Sequence, residues 1–112
     1  LARSRGIDPE VQKNLSAKPE PANDPSEWFT SFDYPTSMLR NSESAFLRFV
    51  VLVKDDGRVD GCRIVTGSGD KEFRDMTCDL IRRRAQFKPA RDARGHTVKA
   101  YYTGGVRWIS PG

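Results

Sequence analysis

The sequence contains one histidine and two cysteines, too few to supply the ligand set that a structural zinc site normally requires. The lone histidine, His96, also leaves few partners for a catalytic triad, and no serine or cysteine has a plausible local base. The segment GSGD at 67–70 lacks both the third glycine of a dinucleotide fingerprint and the lysine of a phosphate loop. We therefore expect no bound metal, no cofactor and no enzymatic activity.

Long apolar runs are also absent. No stretch reaches the roughly 18 apolar residues that a membrane-spanning helix needs, and no positively charged start leads into an apolar signal sequence. The chain begins with Leu1 rather than methionine, so we expect a processed form or a fragment without its anchor. Hydrophobic residues make up 37% of the 112 residues and concentrate after Ala45, which predicts one small domain at most.

The net charge of +4 is unevenly distributed. The segment from Arg82 to Arg107 contains eight basic residues and one acidic residue, Asp92, whereas the rest of the chain has an acidic excess. Its most basic part, RRRAQFKPARDARG from Arg82 to Gly95, is compatible with a surface that binds phosphates. It is equally compatible with the solvated end of a structural element.

Residues 1–33 are predicted to form a spacer and docking segment, and residues 34–112 the folded domain. LSAKPEPANDP at 15–25 alternates proline with small and polar residues, which favours an extended, solvated backbone. A short helix is predicted around TSMLRN at 36–41. The segment between them, EWFTSFDYP, supplies rings that we expect to dock onto the domain: Trp28, Phe29, Phe32 and Tyr34.

A β-hairpin is predicted to open the core. Asp56-Gly57 is a strong turn signal, because both positions tolerate a positive φ. In the strand before the turn, alternate apolar residues share one face, namely Leu47, Phe49, Val51 and Val53. In the strand after it, we expect Cys62 and Ile64 to point inward, on a face composed of Asp60, Cys62, Ile64 and Thr66.

A helix is predicted from Lys71 to about Ala85, capped by Ser68 or Asp70, and a last strand over 97–109 with a bulge at Gly104-Gly105. The element order is therefore β-β-α-β. It predicts an α+β fold, in which a small three-stranded antiparallel sheet has one helix packed on one face and an extended N-terminal segment. The apolar stripe of the helix consists of Phe73, Met76, Thr77, Leu80, Ile81 and Ala85.

The two cysteines are expected to lie close together, because Cys62 is on the second strand and Cys78 is on the helix that packs back on it. A disulfide between them would stabilise the fold by roughly 3 kcal/mol and would imply an oxidising compartment. Two buried free thiols are the alternative interpretation, and we favour the disulfide.

Four segments in order resemble the TonB C-terminal domain family: DYP at 33–35, VVLVKDDGRVDGCRIVTGSG at 50–69, FRDMTCDLIRRRAQFKPARDARG at 73–95 and VKAYYTGGVRW at 98–108. They match the family's Tyr-Pro entry, its hairpin with Asp-Gly-Arg-Val, its Ser-Gly break and its helix ending in Arg-x-x-Phe/Tyr-x-Pro. The resemblance implies that Phe87 packs beneath the last strand. It also implies that the basic run is mainly a helix end, where arginines favour the helix dipole: Arg82, Arg83 and Arg84.

The resemblance implies a function as well. Members of the family are periplasmic domains, tethered to the inner membrane of Gram-negative bacteria by an N-terminal helix and a proline-rich spacer. They bind the TonB box of an outer-membrane receptor and transmit energy from the ExbB–ExbD motor, so that the receptor admits siderophores, cobalamin or other nutrients. The implied binding mode is strand addition, in which an extended peptide pairs with an exposed strand edge.

The strand that most resembles the family's docking strand runs from Val98 to Trp108, and an exposed strand of this kind also allows a homodimer. Two alternatives remain: a TonB-like interaction domain of another envelope protein with an unknown peptide or cell-wall partner, and a small basic nucleic-acid binder. The second has little support, because Phe87 is the only aromatic residue within the basic run. The implied partner-binding residues are Val98, Lys99, Ala100, Tyr101, Tyr102, Thr103 and Arg107.

Overall fold

The computed structural model describes residues 9–30, 33, 45–67 and 71–108. The sequence predictions for a helix at 36–41, for the docking of Phe32 and Tyr34 and for the helix cap at Ser68 or Asp70 fall outside these residues. No helix within these ranges is long and apolar enough to cross a membrane. The elements are α1 (Pro9–Lys13), β1 (Glu20–Pro21), a 3₁₀ turn (Pro25–Glu27), β2 (Ala45–Val53), β3 (Val59–Gly67), α2 (Lys71–Arg84), β4 (Phe87–Lys88), β5 (Ala90–Arg91), β6 (Thr97–Val98) and β7 (Ala100–Trp108).

The main sheet has three antiparallel strands in the order β3-β2-β7. The central strand, β2, is the most apolar of the three, and its inward residues Leu47, Phe49, Val51 and Val53 are at most 2% exposed. Helix α2 covers the same face of the sheet through its stripe of buried residues, which are Phe73, Thr77, Cys78, Leu80 and Ile81. The predicted α+β fold, with one main helix on one face of this sheet, is therefore confirmed.

A tight turn joins β2 to β3, as the Asp-Gly pair predicted. The Asp56 carboxylate accepts a hydrogen bond from the Arg58 backbone N–H at 2.9 Å, and the Gly57 N–H donates to the Lys54 carbonyl at 2.9 Å. Gly57 has φ +88°, and a Cβ at this position would lie 2.3 Å from the Phe87 carbonyl oxygen. Only glycine suits this position, because both the backbone angle and the close approach exclude a side chain.

The pairing of β2 with β3 is irregular at two points, next to Phe49 and next to Val53. Each irregularity shifts the alternation of β3 by one residue. Val59 therefore packs against the core together with Cys62 and Ile64, and the predicted common face of Asp60, Cys62, Ile64 and Thr66 is wrong. The predicted bulge at Gly104-Gly105 is also wrong, because β7 pairs with β2 without a shift from Ala45↔Trp108 to Val53↔Ala100.

A disulfide joins β3 to α2 between Cys62 and Cys78, whose Cα atoms lie 5.6 Å apart. The pairing that the sequence favoured is thus present. Cys78 is 7% exposed and lies on the buried stripe of the helix, so the bond fixes the helix onto the sheet beside the core. It closes a loop across 16 residues of sequence.

The N-terminal residues 9–30 lie along the domain and contact it repeatedly. β1 pairs with β4, and the Ser16 backbone N–H donates to the Arg91 carbonyl at 2.9 Å. Trp28 is 1% exposed and packs against Phe87, which confirms the sequence prediction that Trp28 docks onto the domain. The division of the chain at residue 33 remains a prediction.

Candidate functional site

The candidate site is the outer edge of β7. In the order β3-β2-β7, this strand pairs with β2 on one side, and within the described ranges no strand pairs with its other side. The pairing with β2 continues in register for nine residues, from Ala100 to Trp108, so the backbone of β7 is regular throughout. A regular strand with one unpaired edge is the geometry that accepts an additional strand.

A cleft of about 390 Å³ runs along this edge on the helix side of the sheet. Its floor is formed by inward side chains of the sheet, and its far wall is the N-terminal segment around Trp28. Four of the ten lining residues are aromatic, so part of the cleft suits apolar side chains. Its lining residues are Pro25, Ser26, Trp28, Phe29, Phe49, Tyr102, Gly104, Gly105, Val106 and Arg107.

Gly104 is the point at which the cleft comes closest to the core. A Cβ at this position would lie 2.8 Å from the ring of Phe49 and 3.3 Å from the ring of Tyr102. The absence of a side chain leaves room for the buried Phe49 ring to pack directly against the β7 backbone. The glycine is therefore explained by its close approach to the Phe49 ring and not by the bulge that the glycine pair predicts.

Tyr102 lies between the cleft and the core. Its ring centroid is 5.0 Å from that of Phe87 and 6.5 Å from that of Trp28. Burial raises the pKa of the Tyr102 phenol above its ordinary value of 10.0, so the side chain is neutral at physiological pH. The ring therefore presents a neutral, largely apolar surface to a ligand at this edge.

Asn23 holds the far wall of the cleft in place. Its Oδ1 accepts hydrogen bonds from the Trp28 indole N–H at 2.8 Å and from the Gln86 backbone N–H at 3.1 Å. Its Nδ2 donates to the Arg84 carbonyl at 2.8 Å, in the last turn of α2. One amide thus joins Trp28 to the helix end, and no pattern in the sequence had indicated it.

The basic run at the end of α2 makes mainly internal contacts. Arg84 forms two hydrogen bonds with Asp33, at 2.7 and 3.0 Å, and a third with the Trp28 carbonyl at 3.0 Å. Arg83 pairs with Asp79, and an Arg82 Nη donates to the Cys62 carbonyl at 3.5 Å. The run is therefore a helix end with structural contacts, in agreement with the role that the resemblance implied.

The residues predicted to bind a partner fall into three groups. Val98 belongs to β6 and pairs with Ala90, and the Lys99 carbonyl accepts a hydrogen bond from the Gln12 side chain at 2.9 Å. Both residues come before β7 in the chain and are not part of its outer edge. Ala100 and Tyr102 point to the helix side of the sheet, and Ala100 is only 1% exposed. By alternation, Tyr101, Thr103 and Arg107 point to the opposite face. Phe49 and Gly104, which line the cleft, were not among the predicted residues.

The other sheet edge, β3, borders a larger cleft of about 770 Å³ between β3 and α2. This cleft is different in character, because charged side chains of the helix, among them Glu72, Arg74, Asp75 and Asp79, form much of its lining. The two irregularities in β3 also interrupt its backbone pattern, and bulges of this kind protect a strand edge from further pairing. The regular edge of β7 is thus the better candidate for strand addition.

The described residues can also be compared with the requirements of a metal site. Within the described ranges, no group of three or more His, Cys, Asp or Glu side chains is arranged to hold a metal ion. His96, the lone histidine, is exposed in the turn between β5 and β6, where its backbone N–H donates to Asp92 at 2.9 Å.

Comparison with known families agrees with this geometry. Residues 30–109 match the family described as the Gram-negative bacterial TonB protein C-terminal. The match covers most of the chain, and the protein belongs to this family of periplasmic domains. Comparison with curated proteins found no match.

Proposed function

We propose that the chain is a periplasmic binding and force-transmitting domain, and that it binds an extended peptide by addition to the edge of β7. The observation that carries the proposal is the regular, nine-residue pairing of β7 with β2, next to an edge without a strand partner in the described ranges. An incoming strand completes the backbone hydrogen bonds of such an edge, which gives affinity that tolerates variation in peptide sequence.

The side chains of the bound strand would alternate between two surroundings. Those that point to the helix side enter the aromatic cleft beside Phe49 and Trp28, where apolar groups are favoured. Those that point to the other side lie beside Thr103 and Arg107, where polar or acidic groups are favoured.

Membership of the TonB C-terminal family supports a TonB box as the peptide. In this proposal, the box belongs to an outer-membrane receptor for siderophores, cobalamin or similar nutrients. The full-length protein is tethered to the inner membrane, and the ExbB–ExbD motor supplies the energy that the domain transmits. The domain itself performs no catalysis and binds no cofactor.

Backbone methylation of the peptide tests strand addition. We would synthesise a TonB-box peptide from a receptor encoded in the same genome, and a series of copies that each carry one N-methyl group. Because every second N–H of an added strand faces its partner, methylation at alternate positions should weaken binding roughly tenfold, while the positions between tolerate it.

The controls separate this result from its alternatives. A peptide of the same composition in scrambled order should bind weakly, and sedimentation should show that the domain is monomeric at the assay concentration. Equal losses at all positions, or none, would show that the peptide does not pair as a strand. Binding that appears only for the dimer would assign the edge of β7 to self-association instead.

A further inference from the structure

The face of the sheet opposite α2 carries an aromatic ring between two arginines. Phe46 on β2 is 42% exposed, and the guanidinium carbons of Arg48 and Arg107 lie 6.0 and 5.9 Å from its ring centroid. Both distances fit cation–π contact, which holds the two guanidinium groups beside the ring. Arg63 on β3 lies opposite Val50, two residues along β2 from Arg48, and is exposed on the same face.

These three arginines have no acidic partner in the described part of the chain. Asp60 is the only acidic residue in the three long strands, and it lies at the far end of β3, beside the hairpin turn. Some arginines of the described ranges are instead paired with an acid, as Arg83 is with Asp79. We call the residues Phe46, Arg48, Arg63 and Arg107 the open-face patch.

We propose that the open-face patch binds the surface of a membrane that contains anionic phospholipid. Guanidinium groups form paired hydrogen bonds with phosphate, and an exposed aromatic ring between them is suited to the boundary between headgroups and acyl chains. Val65, the other large hydrophobic residue exposed in the described ranges, is 44% exposed and lies in the irregular part of β3 at the same end of the sheet. This surface shares Arg107 with the peptide edge, whereas its other residues lie on β2 and β3.

The shape of the patch favours a membrane over an acidic peptide. Phe46 and Arg48 are exposed on the central strand of this sheet face. Arg63 and Arg107, on the strands to either side, also border the two clefts. A peptide is normally held in a groove or along a strand edge, whereas a flat face with projecting charge and one ring fits a planar anionic surface. An acidic peptide is therefore the alternative that the experiment must separate.

Vesicle binding tests the proposal. We would measure partitioning of the protein to vesicles of phosphatidylcholine alone and of an equimolar mixture of phosphatidylcholine and phosphatidylglycerol. The double variant Arg48→Gln/Arg63→Gln should lose about tenfold in partitioning to the anionic vesicles. The matched control Arg74→Gln/Arg94→Gln removes the same charge from exposed positions outside the patch and should lose much less.

A Phe46→Trp variant tests whether the ring at position 46 enters the lipid layer. Its emission should shift to shorter wavelength with anionic vesicles, while the native Trp28 and Trp108 contribute little change because they are 1% and 4% exposed. A polyglutamate peptide should produce no such shift. Thermal unfolding of each variant should match that of the parent protein, since all the substituted side chains are exposed.

Three results would overturn the proposal. Equal losses of vesicle binding in the two double variants would show that binding depends on the total positive charge of the protein and not on the open-face patch. Tight binding of polyglutamate without a vesicle-induced shift would assign the patch to an acidic peptide, and absence of binding to anionic vesicles would remove the site altogether. TonB-box binding by Arg48→Gln/Arg63→Gln should remain normal, because neither arginine is on β7, so the two proposals fail separately.

Discussion

Arg84 at the end of α2 forms a two-pronged ion pair with Asp33, with nitrogen–oxygen distances of 2.7 and 3.0 Å. The Asp33 side chain is only 14% exposed and is largely shielded from solvent, whereas the Arg84 side chain is 37% exposed. Because Arg84 also donates to the Trp28 carbonyl, the pair ties the N-terminal segment to the helix end, beside the wall of the peptide cleft. The most basic part of the sequence thus has a structural role.

Replacing Asp33 with asparagine should destabilise the domain by about 1 to 2 kcal/mol at pH 7, because Arg84 would lose its charged partner. Urea unfolding followed by fluorescence measures the change. The matched control, Asp75→Asn, removes the exposed ion pair with Lys71. It should change the free energy of unfolding by about 0.5 kcal/mol at most. Similar effects of the two variants would show that the Asp33 pair is equivalent to a surface contact.

The same pair predicts a pH dependence. Hydrogen bonding from Arg84 lowers the pKa of Asp33 below its ordinary value of 3.8 in the folded protein. Because the pKa is lower in the folded state, the ionised carboxylate stabilises the fold at pH values above the unfolded-state pKa. This stabilisation is lost as the pH falls through the folded-state pKa. The stability difference between the parent protein and Asp33→Asn should therefore be constant from pH 7 to about pH 5 and shrink below about pH 4. A stability difference that is as large at pH 2 as at pH 7 would contradict this origin.

Replacing Asn23 with alanine should cost about 2 kcal/mol, since it leaves the Trp28 indole N–H and the Arg84 carbonyl without their partner. It should also weaken peptide binding, because Trp28 forms the cleft wall. Asn14→Ala is the matched control, as it removes one exposed hydrogen bond to the Glu10 carbonyl. Unchanged emission from Trp28 and unchanged peptide affinity in Asn23→Ala would refute the role of this amide.

Reduction of the Cys62–Cys78 disulfide should lower the free energy of unfolding by about 3 kcal/mol, the value for a loop of this length in the chain-entropy model. Urea unfolding with and without a reducing agent measures it. The double variant Cys62→Ala/Cys78→Ala should be insensitive to the reducing agent, which separates the disulfide from other effects of the reagent. A parent protein with equal stability in both conditions would contradict the prediction.

Alanine at Gly104 and alanine at Gly105 should affect stability differently. At Gly104 the added Cβ meets the Phe49 ring at 2.8 Å, so we expect a loss of about 1 to 3 kcal/mol and a narrower cleft. At Gly105 the nearest atoms are 3.4 to 3.6 Å away, an ordinary contact, so stability should change little or rise by about 0.5 kcal/mol. Thermal unfolding and peptide titration of both variants check this. Equal tolerance at the two positions would show that Phe49 moves freely.

Local signals in the sequence predicted much of the fold. The Asp56-Gly57 turn depends on backbone angles that few other residues adopt, and the apolar stripe of α2 follows directly from helical spacing. The disulfide could be predicted because Cys62 lies on the strand after this turn and Cys78 lies on the helix that packs against that strand. These features arise from short stretches of chain, which a sequence pattern records well.

Contacts between distant segments were not predictable in the same way. The irregularities that place Val59 on the inward face of β3 arise from its register with β2, and the alternation of β3 alone does not show them. The bonds from Asn23 to Arg84 and Trp28 join separate parts of the chain and have no periodic signal. A glycine pair in a strand suggests a bulge, so the sequence predicted one at Gly104. The structure shows that glycine is needed there because the Phe49 ring packs against the backbone at this position.

The most direct test of the account is an amide-shift titration of the domain with a TonB-box peptide. If the peptide adds to the sheet, the shifts should saturate and should concentrate on β7 from Ala100 to Trp108 and on Trp28 and Phe29 across the cleft. The β3 residues beside the other cleft should change little. Saturable shifts on β3 and α2 with none on β7 would contradict the central claim that the regular edge of β7 is the binding site.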